Sequence, residues 1–313
     1  MPLDHFVPQV HLRKFYSEDG RLVGVKKANL ELFFPTSKSV CARKDGSTNL
    51  YFKEPRIIEE FLKTIEPAYD DAVNKIRLKN IDAESIYTIS GFIAYVMTCS
   101  PTGIRMLTNP IKASVESAAK LIDDQGLIPE PLTSLGDASL RKLLENGTVQ
   151  ISVDEMYPHS IGIANILKYI DILGNAYWDV MIADDYKSGF MTSDFPVAFG
   201  PSYNHRVVSK TIPLAPDIAI RIHPQLGRKN RKTDFSFSEL RMKYERYSKN
   251  QIVDVNRQIV RAAESIVFCT RNEEWLVPFI SKNRNYRSDT VVEKFPISGH
   301  GDLIVARQAI VPI

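Results

Sequence analysis

The chain has 313 residues, 44% of them hydrophobic, 25% charged and 10% aromatic. These proportions exclude a disordered, collagen-like or coiled-coil chain and leave ample apolar residues for a buried core. A net charge of +3 says little about partners, but its distribution is uneven: residues 57–220 carry 21 acidic against 13 basic side chains, and 221–250 carry 9 basic against 3 acidic.

Residues 1–55 alternate short apolar runs with turn signals at Glu18-Asp19-Gly20 and Asp45-Gly46, which predicts strands or hairpins. Helical period begins after that: Ile58, Phe61, Leu62, Ile65, Tyr69, Val73 and Ile76 recur at three- and four-residue steps, and Pro67 should split the helix near Glu66. The uncharged stretch from Ser85 to Ile104 holds Ser, Thr, Gly and Pro, and reads as a buried helix ending near Pro101 rather than a membrane span. Helices are expected over 109–121, 138–146 and 157–184. GFMTSDFPVAFGP and TIPLAPDIAIRI read as strand-like runs bounded by prolines, 236–264 as helix, and SIVFCT as a last strand before a loosely patterned tail. The sum is an α+β fold in one domain over 1–313. A helical middle, 56–185, is flanked by short strands from the N-terminal part, 1–55, and from a mixed C-terminal part, 186–313.

The N-terminal string MPLDHFVPQVHLRKF has charge where a signal peptide needs an apolar run, so a cytoplasmic chain without a membrane partner is expected. Cys41, Cys99 and Cys269 lie far apart, with no metal-spaced cysteine or histidine beside them. A disulfide framework or zinc cluster is therefore set aside, and each cysteine reads as a small buried hydrophobe.

His5-Phe6-Val7-Pro8-Gln9 followed by Leu12-Arg13-Lys14-Phe15 resembles the HFVP-motif family catalogued as domain of unknown function 4238. The resemblance continues in order through Ile65-Glu66, Phe92-Ile93-Ala94, the string Phe190 to Val197 (FMTSDFPV), Pro213-Leu214-Ala215-Pro216 and Asn256. It implies an architecture and a set of candidate positions without a reaction. Two departures stand out: His11 occupies the usual Tyr place, and Val96 with Cys99 replaces the Gln and Arg that precede the turn at Ser100-Pro101.

Several residues carry chemistry. Asp4-His5-x-x-Pro8 is similar to the string in ββα-metal nucleases, where the first residue holds a divalent cation and the histidine is the general base. No N-x-x-H completes it unless Asn29 or Asn49 serves. Asp194, after Thr192 and Ser193, suits a metal ligand or base, and suits an Asx turn as well. Glu66 lies beside the apolar stripe at the predicted kink, and could reach a cleft or simply cap its helix. Arg13 could hold a phosphate or pair with Glu66 or Asp194. Asn256 has poor helix propensity and needs a partner. The basic segment, with Arg228, Lys229, Arg231 and Lys232 interleaved with Phe235, Phe237, Tyr244 and Tyr247, has the mixture that grips phosphates and stacks on bases. His159, His205, His223 and His300 read as surface or loop residues, and no serine-nucleophile motif, phosphate-cradling loop or dinucleotide fingerprint is present.

Two functions follow as expectations. One is a metal-dependent phosphodiester hydrolase acting on nucleic acid, with His5, Asp194 and Glu66 catalytic and Asp4, Glu66 and Asp194 on Mg²⁺ or Mn²⁺. In it Arg13, Thr192, Ser193, Asn256 and the basic segment hold the substrate. The other is a non-catalytic nucleic-acid-binding or regulatory protein in which the same polar residues form a sealed internal network. Both expect His5 and Asp194 to meet across the fold. An open pocket would favour the first, a closed one the second.

Overall fold

The computed structural model describes residues 2–129, 138–184, 189–227, 232–297 and 301–313. Its N-terminal part holds β1 (Leu3–His5), α1 (Gln9–Arg13), β2 (Val23–Lys26), β3 (Leu32–Phe33) and β4 (Ala42–Lys44). The helical middle holds α2 (Ile57–Ile65), α3 (Tyr69–Arg77), α4 (Ala83–Cys99), α5 (Pro101–Asp124), α6 (Leu140–Glu145), α7 (Met156–Ala164) and α8 (Ile166–Gly174). After it come β5 (Tyr177–Ala183), β6 (Thr192–Ser193), β7 (Ala198–Pro201), β8 (Val208–Ala215), β9 (Ile218–His223) and β10 (Arg241–Tyr247). The chain closes with α9 (Lys249–Ala262), β11 (Ile266–Cys269), α10 (Leu276–Asn283), β12 (Tyr286–Ile297) and β13 (Gly301–Pro312). The class is α+β, with strands at both ends of the chain.

Local chemistry sets the helix boundaries. Pro67 separates α2 from α3, since a proline there cannot donate to the preceding turn. Asp82 caps α4: it accepts from the Ser85 amide at 2.8 Å while the Ser85 hydroxyl accepts from the Asp82 amide at 3.1 Å. Ser100 then ends α4 and caps α5, with Pro101 in the first helical position where its missing N–H costs nothing. Almost every residue of α4 is buried, as its lack of charge predicts, and no helix of the described residues is long and apolar enough to cross a membrane.

The main sheet has the order β10-β5-β9-β8-β7, with β10 parallel to β5 and the other pairs antiparallel. Alternation sorts its two faces. Trp178 and Val180, Ile212 and Leu214, and Ile220 and Ile222 join the core formed with α4 and α8. Met181, Ala198 and Ala219 face the other way, onto Ile252, Val255 and Ile259 of α9. A second sheet, β3-β2-β11-β6, ties the N-terminal part to the TSD string, and the β12-β13 hairpin lies against α5 and β7.

Three sequence expectations are corrected. The helix over 157–184 stops at Gly174, and Tyr177–Ala183 is a central strand. The Asn175 side chain turns the chain by donating to the Asp171 and Asp234 carbonyls. In 236–264 the helix starts at Lys249, because Arg241–Tyr247 pairs along β5. The tail is a long hairpin rather than irregular chain.

Candidate active site

Almost all the polar residues of the HFVP and TSD strings are consumed by bonds to the chain itself. Asp4, buried, accepts from both terminal nitrogens of Arg56 at 2.8 and 3.1 Å and from the Ser47 amide at 3.0 Å. Burial works to raise its carboxyl, but the Arg56 and Ser47 hydrogen bonds outweigh that and hold it below the usual carboxylate range. Asp194 accepts three backbone amides, those of Glu264, Ser265 and Ile266, at 3.0, 2.8 and 3.1 Å. Its burial is deep enough to push the carboxyl up to about 6 in spite of those donors. Lys27 packs beside this turn and donates to the Ala263 and Tyr286 carbonyls, both at 2.6 Å; burial brings its ammonium down to about 8.

His11, not His5, joins the two strings. Its Nε2 lies 2.7 Å from the Thr192 hydroxyl and its Nδ1 2.8 Å from that of Tyr69, with the ring stacked on Phe92. Complete burial drops its proton affinity to about 3, so the imidazole is neutral. Ser193 accepts from the Phe195 amide at 3.2 Å. Asn256 accepts from the Met191 amide at 2.8 Å and donates to the Gly189 carbonyl at 3.0 Å, the partner its helical position called for.

Among the described residues no hydrogen bond or ion pair joins His5 to Asp194. The His5 Nδ1 lies 3.5 Å from Gln9 Nε2, and its buried Nε2 has no partner among the described residues. Glu66 ends α2 half-buried, its proton affinity raised by burial and by Glu59 and lowered by the exposed Arg13. Asp4, Glu66 and Asp194 therefore do not converge, and among the described residues no three His, Cys, Asp or Glu side chains form a metal-ligand group. With Asp4 spent on Arg56 and Ser47 and Asp194 on three backbone amides, these carboxylates do not fit the expected Mg²⁺ or Mn²⁺.

Of the basic segment, Lys232 is exposed, and Arg228, Lys229 and Arg231 lie outside the described residues. Of its aromatic residues Phe235 is exposed, and the other three turn inward. Phe237 adopts a positive φ of 54° and fills the space over Gly174, where an added Cβ would sit 2.3 Å from its ring. Tyr247 is buried, and Tyr244 donates to the Ile76 carbonyl at 3.0 Å. These three rings are spent on packing, not free to stack on bases.

The fold builds a different constellation at the far end of the main sheet. In the antiparallel register of β5 and β9, Asp179 opposes Arg221 and Tyr177 opposes His223. Asp179 and His223 are thus diagonal neighbours on one face. His223 Nε2 lies 3.0 Å from Asp179 Oδ2, and His223 Nδ1 lies 3.0 Å from the hydroxyl of Ser202, just past β7. Tyr203 stacks on the imidazole at 4.1 Å between ring centroids and donates to Asp179 Oδ2 at 2.8 Å. Burial works to raise the Asp179 carboxyl, and the hydrogen bonds from His223 and Tyr203 outweigh it, so the group is ionised at neutral pH. A carboxylate can only accept, which puts the ring proton on Nε2 and leaves the Nδ1 lone pair facing the Ser202 hydroxyl.

Ser202 also lines a cavity of about 380 Å³ between β7 and β13. His223 is therefore buried, not a surface residue, and so is His159. His205 is exposed, and His300 lies outside the described residues. Asp179, Ser202 and His223 lie on separate elements with no motif among them, which hid the site from the sequence. The one available signal was polar residues within or beside apolar strand runs, in YWDVMIA and IAIRIH.

A comparison with protein families finds the one described as "Protein of unknown function (DUF4238)", matched over residues 4–273. No curated protein and no solved structure matches the chain.

Proposed function

We propose that this chain, which belongs to the family of proteins of unknown function DUF4238, is a hydrolase that works through a serine nucleophile, Ser202. The observation that carries the reading is the Ser202–His223–Asp179 relay, two hydrogen bonds of 3.0 Å ending on a serine that lines a cavity. The roles follow from geometry and not from position in sequence.

Ser202 Oγ attacks the carbonyl carbon of an ester as His223 Nδ1 takes its proton. Asp179 holds the ring and favours the imidazolium. His223 then returns the proton to the departing alcohol oxygen, leaving an acyl-serine. Water, activated by the same nitrogen, releases the acid and restores the hydroxyl. The imidazole is used in the opposite sense to the common serine-protease arrangement, with the carboxylate on Nε2, yet the proton path is equivalent. In the same reading the HFVP and TSD residues act as the internal clamp that keeps the sheets in register.

The test is turnover of p-nitrophenyl hexanoate together with labelling by a fluorophosphonate. Ser202→Ala should lose the label and roughly 10³-fold or more of the turnover while melting like the wild type. Turnover that survives in Ser202→Ala overturns the reading. Cleavage of DNA, RNA or bis-p-nitrophenyl phosphate that needs Mg²⁺ or Mn²⁺ and fails in His5→Ala would return the chemistry to His5 and Glu66.

A further inference from the structure

Lys210 is the side chain that the relay leaves unexplained. In β8 the residues Val208, Lys210, Ile212 and Leu214 alternate toward the helical layer, and in the sheet Lys210 sits between Phe199 and Ile222. A cation has been placed in a row of core hydrophobes. Its Nζ makes one hydrogen bond, 3.1 Å to the Val208 carbonyl, and among the described residues no carboxylate pairs with it. Burial brings its ammonium down to about 8, the direction expected of a cation taken out of water without a counter-ion.

The space in front of Lys210 is a cavity of about 550 Å³, within the range of small-molecule sites, with Met97, Met106, Leu107, Tyr169 and Ile172 in its apolar wall. Its mouth carries Arg206 and Arg307. Arg206 has no ion-pair partner among the described residues, and Arg307 reaches Glu293 at 4.0 Å, the limit of a contact. The cavity shares His205, Val207, Val208, Arg307 and Gln308 with the one that Ser202 lines. Among the described residues neither wall contains an Asp or Glu.

We infer that this second cavity is an anion subsite of the same cleft, and that the substrate is an ester whose apolar chain ends in a carboxylate or phosphate held by Lys210 with Arg206 and Arg307. The inference rests on the serine-hydrolase reading for the reacting end of the substrate. For the anion it rests on the cavity alone. An apolar wall supplies chain burial, and an unpaired ammonium gains a partner when the anion enters, so charge recognition and burial reinforce each other.

The experiment compares three p-nitrophenyl esters of equal chain length: hexanoate, the half-ester of adipate, and 6-phosphooxyhexanoate. The charged esters should show a KM at least about 10-fold lower than hexanoate in the wild type, and that ratio should collapse toward one in Lys210→Met. The lower of the two charged KM values identifies the preferred head group. Equal KM for charged and neutral esters, or discrimination that survives in Lys210→Met, overturns the inference and leaves the hydrolase standing. A separate arm measures adipate binding to Ser202→Ala by calorimetry. Binding that disappears on adding Lys210→Met, with no ester turned over by the wild type, would keep the anion subsite and remove the hydrolase. Lys210→Met replaces a half-buried cation, without an ion-pair partner among the described residues, by an apolar chain of similar length, and its melting curve confirms folding.

Discussion

The region around Asp194 and the region around Ser202 are made from the same kinds of side chain, a carboxylate, a histidine and a hydroxyl residue, and they end in opposite conditions. Around Asp194 every carboxylate oxygen and both nitrogens of His11 are bonded to the chain itself. Around Ser202 the relay stops at a residue that lines a cavity, and Asp179 Oδ1 has no partner among the described residues. A buried polar group whose partners are all internal holds the fold, since any change leaves donors unpaired in a low-dielectric interior. A polar group with one face left over is available for chemistry.

The widest contrast comes from Asp194→Ala. It strands three buried amides and should cost roughly 3 kcal/mol or more of unfolding free energy by denaturant titration, with ester turnover per folded molecule unchanged. A loss below about 1 kcal/mol would show that the amides find other partners. In the cleft, Asp179→Asn should do the reverse, lowering turnover about 10²-fold to 10⁴-fold while stability changes little, because the ring loses its orienting charge.

Acid should separate the regions next. The His11 proton affinity is lowered in the fold, from an unfolded value near 6.5 to about 3. The unfolded chain therefore binds the extra proton first as pH falls. The stability His11 lends is complete above about pH 6.5 and shrinks by about 1.4 kcal/mol per pH unit on the way to 3. Asp194, raised to about 6, acts in the opposite sense between about pH 6 and 4, since the folded carboxyl takes the proton more readily. Measuring wild type against His11→Gln isolates the histidine: the stability gap should narrow from pH 7 to pH 4, and a constant gap would refute a neutral, desolvated ring. The smallest effect belongs to Tyr203→Phe. It keeps the stacked ring, removes one donor to Asp179, and should change stability by about 1 kcal/mol and turnover by less than 10-fold.

Much of the frame was legible in the residues. Pro67 split its helix where the ring removes a donor, the uncharged run before Pro101 became the buried α4, and Asn256 found the backbone partner that its helical position required. The resemblance carried by the HFVP and TSD strings marked two segments that the His11–Thr192 hydrogen bond joins. It could not show that the histidine joining the two strings would be His11, bonded to Thr192, and not His5 on Asp194, because a hydrogen bond 181 residues long in sequence depends on how α1 docks against β6.

The sequence alone determined the α+β class, the apolar middle and the polar strings at the two ends, because periodicity and proline chemistry act locally. Tertiary structure decided that Arg241–Tyr247 joins the sheet, that Phe237 and Tyr247 turn inward, that Asp179, His223 and Ser202 form one hydrogen-bonded chain, and that the cavities lined by Ser202 and Lys210 share wall residues. Strand pairing and face alternation set those relations, and both are fixed when distant segments bury apolar surface together, which no single window of sequence contains.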